Sequence, residues 1–296
     1  MAAGSAAARL PAARVRRRLD ASLALLLPAV ALAILLFIGP FVYGLSLSFQ
    51  PYGSDQSLWA SYTKFLLSGR GQLALWNSVR LALPATAIDV LVALPLAYRM
   101  RRDLPGRQLL VAVLVVPMTL GSVLIAEGML QFFGPAGWAN KVLLSLHLVS
   151  APVQFVHNYA GVLISLILAD FPIVFLVLAG YASGLDPSLD SAARMLGAGF
   201  WRRQWRVTLP LMVPGISAAV GLSFVATFSV FPTAVMVGQP AGETYVVALA
   251  AWQAAYERYD YSEASAIALV MAFVMLVFIG IVFWLRGRVV PAGGRR

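Results

Sequence analysis

Six long apolar runs constrain this chain more than any other feature of its sequence. They cover about residues 21–45, 77–98, 109–133, 155–182, 209–237 and 262–285. Roughly 20 apolar residues in a helix cross the hydrocarbon core of a bilayer. A helix also satisfies its own backbone hydrogen bonds, which hydrocarbon cannot do. The sequence therefore predicts an all-α membrane protein with six transmembrane helices.

The composition agrees with a membrane protein. Of the 296 residues, 60% are apolar and 11% are charged, and the mean hydropathy is +0.83. A soluble domain of this length needs more charge on its surface. The chain has no cysteine, which excludes disulfides, thiolate metal sites and a cysteine nucleophile.

The basic residues are distributed unevenly between the two sides of the predicted membrane. With six spans, the two termini and the second and fourth loops share one side, which holds 17 of the 22 basic residues. The other five are Lys64, Arg70, Arg80, Lys141 and Arg258. Because basic residues are retained in the cytoplasm, both termini are expected there, in a bacterial cell membrane. This asymmetry explains the net charge of +10 without nucleic acid as a partner.

The predicted organisation has three parts. Residues 1–20 form a cytoplasmic tail, residues 21–286 form the six-span domain, and residues 287–296 form a second cytoplasmic tail. A short apolar-periodic segment at 59–67 is expected to lie at the membrane interface, and a small amphipathic helix is expected near 141–148.

Several kinds of chemistry are excluded by the sequence. A nucleotide-binding loop needs Gly-Lys-Ser/Thr, but the only lysines follow Thr63 and Asn140. His147 and His157 are too far apart for a helical metal-binding pair, so neither a metal site nor a catalytic residue is predicted. The chain is expected to bind no cofactor.

Residues 185–210 are the exception among the apolar runs, because they are charged yet have helical features. Asp186 before Pro187 is a strong helix start, and Asp190 and Arg194 are spaced as a favourable helical pair. Gly197 and Gly199 predict a break in the helix and a sharp reversal with positive φ. From the residues alone, the segment is either an amphipathic linker on the lipid surface or a docking element for a soluble partner.

The spacing within this segment resembles a family motif. Ser191-Ala192-Ala193, three residues, Gly197, nine residues and Val207-x-Leu209-Pro210 is similar to the EAA loop of ABC importer permeases. That family has a glutamate where this chain has Ser191. The motif also lies between the fourth and fifth spans, as in the family's six-span core. The resemblance implies the type I ABC importer permease fold, with a cytoplasmic coupling helix within residues 185–210.

The resemblance also implies a function, partners and site residues. The chain would be half of the translocation pathway of an ATP-driven importer. It would lie in membrane lipid with a second permease, two ATPase subunits that carry ATP and Mg, and an extracytoplasmic binding protein. The residues implied in ATPase coupling are Asp186, Leu189, Ser191, Ala192, Ala193, Leu196, Gly197, Arg202, Arg203, Leu209 and Pro210.

Three acidic residues, Asp89, Glu127 and Asp170, lie within predicted spans. Each costs roughly 2.5–3.5 kcal/mol at mid-membrane on insertion scales, so a role or a partner is expected. They are candidates for the translocation pathway. The alternative is that they cap helix kinks or pair with a partner permease.

The substrate is the least constrained part of the prediction. Phe171-Pro172 and Gly184-Leu185-Asp186-Pro187 are similar to permeases of the spermidine/putrescine type, which implies a polyamine or another small organic cation. The Gly242-Glu243-Thr244 loop instead resembles carbohydrate and glycerol-phosphate permeases. An alternative from another class is a stand-alone secondary carrier or a membrane-embedded enzyme.

Overall fold

The computed structural model describes residues 28, 30–50, 57–101 and 106–289. The secondary structure of these residues is helical, without strands. Six of the helices are long and apolar enough to cross a membrane, as predicted. They are α1 (Val30–Ser48), α3 (Gly69–Arg99), α4 (Arg107–Phe133), α6 (Tyr159–Ser183), α8 (Phe200–Phe228) and α11 (Tyr261–Val289).

Five shorter helices lie between these spans in the described part of the chain. They are α2 (Ala60–Leu67), α5 (Trp138–Ser145), α7 (Pro187–Met195), α9 (Pro232–Met236) and α10 (Val247–Trp252). Helix α5 confirms the small amphipathic helix expected near residues 141–148, although it begins and ends earlier, and α2 lies within the apolar-periodic segment 59–67. Helix α7 falls within the charged segment 185–210.

Local capping explains why some spans begin where they do. The Ser68 hydroxyl accepts a hydrogen bond from the Gly71 N–H at 2.9 Å, and this cap lets α3 begin at Gly69, well before the expected residue 77. The Asn158 side chain caps α6 in the same way, through the Gly161 N–H at 2.7 Å. Both side chains satisfy a backbone donor that the first helical turn leaves unpaired.

The fifth span was predicted to reach residue 237, which is wrong. Helix α8 ends at Phe228, and α9 begins at Pro232 after a short break. The proline explains the break, since it has no N–H to donate and it disfavours helical geometry at the preceding residue.

The last span is longer than predicted. Helix α11 passes residue 286, the expected end of the membrane domain, and continues to Val289. The predicted tail 1–20 and residues 290–296 lie outside the described residues.

The centre of the bundle is formed by α3, α6 and α8, which pack most extensively on one another. Leu81 of α3, Phe175 of α6 and Met212 of α8 are fully or almost fully buried. Helix α11 joins this centre through Phe278, whose ring stacks on Phe224 of α8 at 3.6 Å. In contrast, α1 exposes its apolar side chains along its length.

Gly215 marks a close approach of α6 and α8. A Cβ atom there would lie 2.5 Å from Cγ and 2.7 Å from Cβ of Tyr181. Gly221 lies on the same helix, and a Cβ there would meet only Ile279, at 4.0 Å. The sequence therefore needs glycine at one of these positions and not at the other.

We expect Gly215→Ala to destabilise the protein by about 1–3 kcal/mol, because the added methyl group forces Tyr181 away from α8. Gly221→Ala is the matched control and should leave stability nearly unchanged. Thermal unfolding in detergent measures both variants. Equal melting temperatures for the two variants would contradict this packing.

Candidate coupling site

Helix α7 begins with the cap that its sequence predicts. The Asp186 carboxylate accepts a hydrogen bond from the Ser188 N–H at 2.8 Å, and Pro187 occupies the first turn. Hydrogen bonds from the backbone N–H and the hydroxyl of Ser188 hold the pKa of the Asp186 carboxyl below its usual value. The carboxylate therefore stays ionised at neutral pH and favours the positive N-terminus of the helix.

Helix α7 ends in a left-handed turn at Gly197, where φ is +74°. The Gly197 N–H donates to the Arg194 carbonyl at 2.9 Å, and the Ala198 N–H donates to the Ala193 carbonyl at 3.0 Å. This pair of bonds is the Schellman motif. Gly199 differs, because its φ is −63° and it caps the start of α8. The expectation of positive φ is thus confirmed at Gly197 and wrong at Gly199.

The outer face of α7 and the turn after it are open to the surroundings. Leu189 is 44% exposed and Leu196 is 88% exposed. Most of the residues that the motif implies in docking are exposed too: Asp186, Ser191, Ala192, Gly197 and Arg202. Ala193, Arg203, Leu209 and Pro210 are partly buried. The structure thus brings the predicted coupling residues into one connected segment.

Asp190 is the residue of this segment that sequence reasoning underestimated. Its side chain is 10% exposed, and three guanidinium groups surround it. Arg203 Nε lies 2.8 Å from Oδ1, while Arg194 and Arg101 lie 3.0 Å and 3.7 Å from Oδ2. The spacing of Asp190 and Arg194 predicted one of these pairs. The other two join residues that are distant in sequence, so helical spacing could not reveal them.

Ser191, where the family motif has glutamate, has a different environment from Asp190. Its exposed hydroxyl donates to the Pro187 carbonyl at 3.3 Å, one turn back in the same helix. Neighbouring residues on a helix project about 100° apart. Asp190 therefore faces the arginines of the chain, while Ser191 faces outward.

The three acids within the spans have different surroundings. Asp89 of α3 is fully buried, with Ser223 of α8 among its neighbours. It interacts electrostatically with Asp170 of α6. Glu127 of α4 instead accepts a hydrogen bond from Gln131 at 2.9 Å. Asp89 and Asp170 are thus close enough to interact electrostatically, while Glu127 bonds within its own helix.

The opposite end of the bundle has an ionic cluster that the sequence did not suggest. Lys64 of α2 lies 3.1 Å from Asp260 and 2.5 Å from Glu263, and Arg258 contacts Glu263 at 2.9 Å. Partial burial of the Lys64 ammonium group lowers its pKa, because burial disfavours the charged form. The hydrogen bonds and negative charges of Glu263 and Asp260 outweigh that effect and raise its pKa. The cluster fixes α2 against the start of α11.

Comparison with known proteins assigns the family. Residues 89–292 match the model of the binding-protein-dependent transport system inner membrane component. This match covers more than half of the chain, so the chain belongs to that family. It is a multi-pass permease subunit of an ABC importer, a transport subunit rather than an enzyme. The fold is that of the type I importer permeases.

Individual relatives differ in what they are named for. The chain is 29% identical over 69% of its length to the spermidine/putrescine permease PotB of Haemophilus influenzae, covering 72% of that protein. It is 26% identical over 84% of its length to a probable sulfate permease, cysT, of Marchantia polymorpha, covering 86% of it. It is 30% identical over 58% of its length to the molybdenum permease ModB of Escherichia coli K12, covering 76% of it.

Solved structures support the fold. A bacterial ABC transporter involved in the import of the acidic polysaccharide alginate matches with a TM-score of 0.77 and 21% identity. That match covers 93% of this chain and 98% of the other. A second structure, of the alginate transporter with its pentasaccharide-bound periplasmic protein, has a TM-score of 0.79 and 20% identity, covering 95% and 98%.

The turn at Gly197 gives a direct test of the local geometry. Gly197→Ala should destabilise the end of α7 by about 1 kcal/mol, because an L side chain disfavours positive φ. Amide exchange of residues 187–196 would then be about fivefold faster. Gly199→Ala is the matched control, since a Cβ meets nothing within 4 Å at either position. Equal exchange in both variants would contradict the assigned turn.

Proposed function

We propose that this chain forms half of the translocation pathway of an ATP-driven importer. It pairs with a second permease, and two ATPase subunits supply ATP and Mg on one side of the membrane. An extracytoplasmic binding protein delivers the substrate on the other side. The chain itself contributes residues 21–286 as the membrane domain and performs no chemistry.

The orientation in the membrane follows from charge. Among the described residues, the end of the bundle with α7 and the end of α3 carries most of the arginines, and the prediction from six spans assigns both termini to that side. Retention of basic residues places this arginine-rich end, and both termini, in the cytoplasm of a bacterial cell. The ATPase subunits are therefore positioned to meet α7.

Helix α7 is the coupling element in this proposal. The single observation that carries it is the exposed, capped helix between two spans, with apolar Leu189 and Leu196 open to a partner. The small side chains of Ala192 and Ala193 allow a close approach of another protein. Closure of the ATPase dimer would then move α7 as a rigid lever and switch the spans between inward-facing and outward-facing states.

The substrate we propose is a polyamine or a similar small organic cation. The similarity to the permease PotB supports this class, as do the acids Asp89, Glu127 and Asp170 within the spans. Ionisable residues inside a membrane usually mark a pathway. The relatives named for sulfate and molybdenum make an inorganic anion the main competing outcome, with a carbohydrate as a further one.

Docking is tested by Ala193→Arg and Gly197→Asp. Both variants should insert normally yet lose ATP-driven transport, because bulk and charge on α7 prevent its fit against the ATPase. Co-purification of the ATPase subunits and transport in proteoliposomes measure the effect. The matched control for Ala193→Arg is Ala139→Arg. It makes the same change on a half-buried residue of α5, at the opposite end of the bundle. Transport retained by both α7 variants would contradict the docking role.

The substrate class is tested on the binding protein that associates with this chain. We expect polyamines to raise its melting temperature, because ligand binding to the native state stabilises it. Sulfate, molybdate and alginate oligosaccharides are the comparison ligands. A higher melting temperature with one of these comparison ligands, and no change with polyamines, would contradict the proposed cation substrate. It would leave the proposed importer function intact.

A further inference from the structure

Helix α7 has few attachments to the rest of the bundle. Its main backbone neighbours are Phe200–Arg203 and the π-helical turn Gln204–Thr208, both within the beginning of α8. A helix that transmits force needs a firm connection to the spans it moves. The side-chain contacts of α7 therefore decide which spans move with it.

The Asp190 cluster supplies this connection from one carboxylate to two spans. Arg203 belongs to the start of α8, and Arg101 lies two residues beyond the end of α3. Both side chains are largely buried, with 13% and 10% exposed. Arg101 is itself held in place, because its guanidinium lies 4.2 Å over the Tyr98 ring and donates to the Tyr98 hydroxyl.

The charges explain why a single acid is decisive. The guanidinium groups of Arg101, Arg194 and Arg203 repel one another, and the Asp190 carboxylate between them holds them together. Removing one partner of a buried ion pair is strongly destabilising, since it leaves an unpaired buried charge. Arg194 is 50% exposed, and an exposed ion pair on a helix contributes little.

We propose that Asp190 is a positioning residue that joins the coupling helix to the second and fifth spans at once. Displacement of α7 is then transmitted to the end of α3 through Arg101 and to the start of α8 through Arg203. This inference rests on the proposed function, in which α7 meets an ATPase subunit. Neighbouring residues then have different roles: Ser191 faces the ATPase subunit, and Asp190 fixes α7 to the bundle.

The functional test uses the assembled transporter in proteoliposomes. Asp190→Asn should reduce the substrate transported per ATP hydrolysed by at least tenfold, while the ATPase subunits still co-purify with the chain. Arg203→Gln should have a similar effect. Arg206→Gln is its matched control, because Arg206 is an exposed arginine of the adjoining π-helical turn. Arg194→Gln should change the ratio less than threefold.

A double variant tests the shared mechanism. If Asp190 acts through Arg203, the combined Asp190→Asn and Arg203→Gln variant should be no worse than Asp190→Asn alone. Additive losses of transport per ATP would show that the two residues act separately and would overturn this part of the inference.

A distance measurement gives a readout that is independent of transport. The chain has no cysteine, so spin labels can be placed by Met195→Cys on α7 and Leu91→Cys on α3, both at exposed positions. We expect one narrow distance distribution, and a broad one after Asp190→Asn. A distribution that stays narrow, with unchanged transport per ATP, overturns the inference.

The two proposals fail in different ways. If ATPase subunits do not associate with the unmodified chain, the proposed function fails, yet the label distances still test whether Asp190 holds α7 to α3. If the subunits associate and Asp190→Asn transports normally, only the positioning role fails.

Discussion

The cost of placing charge in hydrocarbon organises this structure. Six segments with little charge become spans, and the charged segment 185–210 forms α7 and the arginine-rich first turns of α8 instead of a further span. Its arginines cannot enter the bilayer and must find partners or water outside it. Asp190 provides such a partner for Arg101, Arg194 and Arg203. These ion pairs keep the arginines out of hydrocarbon, and they also attach α7 to the bundle.

The packing of the spans is consistent with a subunit that works in an assembly. Helices α3, α6 and α8 form a buried centre, while α1 and α4 leave most of their apolar surface uncovered. In a lipid bilayer such faces are stable, and they also leave room for a second permease. Helix packing in membranes depends on close approach at small residues, and Gly215 against Tyr181 is one such point.

Much of this architecture could be predicted from sequence, because apolar length and capping are local signals. The six spans, the Asp186 cap and the positive φ at Gly197 follow from residues close in the chain. The break after Phe228 was missed because the apolar run continues through Pro232. The contacts of Asp190 with Arg101 and Arg203 were missed for another reason: the bundle brings together residues that no spacing rule connects. The proximity of Asp89 and Asp170 is of the same kind.

The central claim is that α7 is seated in an ATPase subunit. A photo-crosslinking amino acid at Leu196, which is 88% exposed, tests it most directly in membranes that contain the assembled transporter. The account predicts a crosslink to the ATPase subunit, and none from the same probe at Ala139. A crosslink at Leu196 only to lipid, or only to another permease, would contradict it.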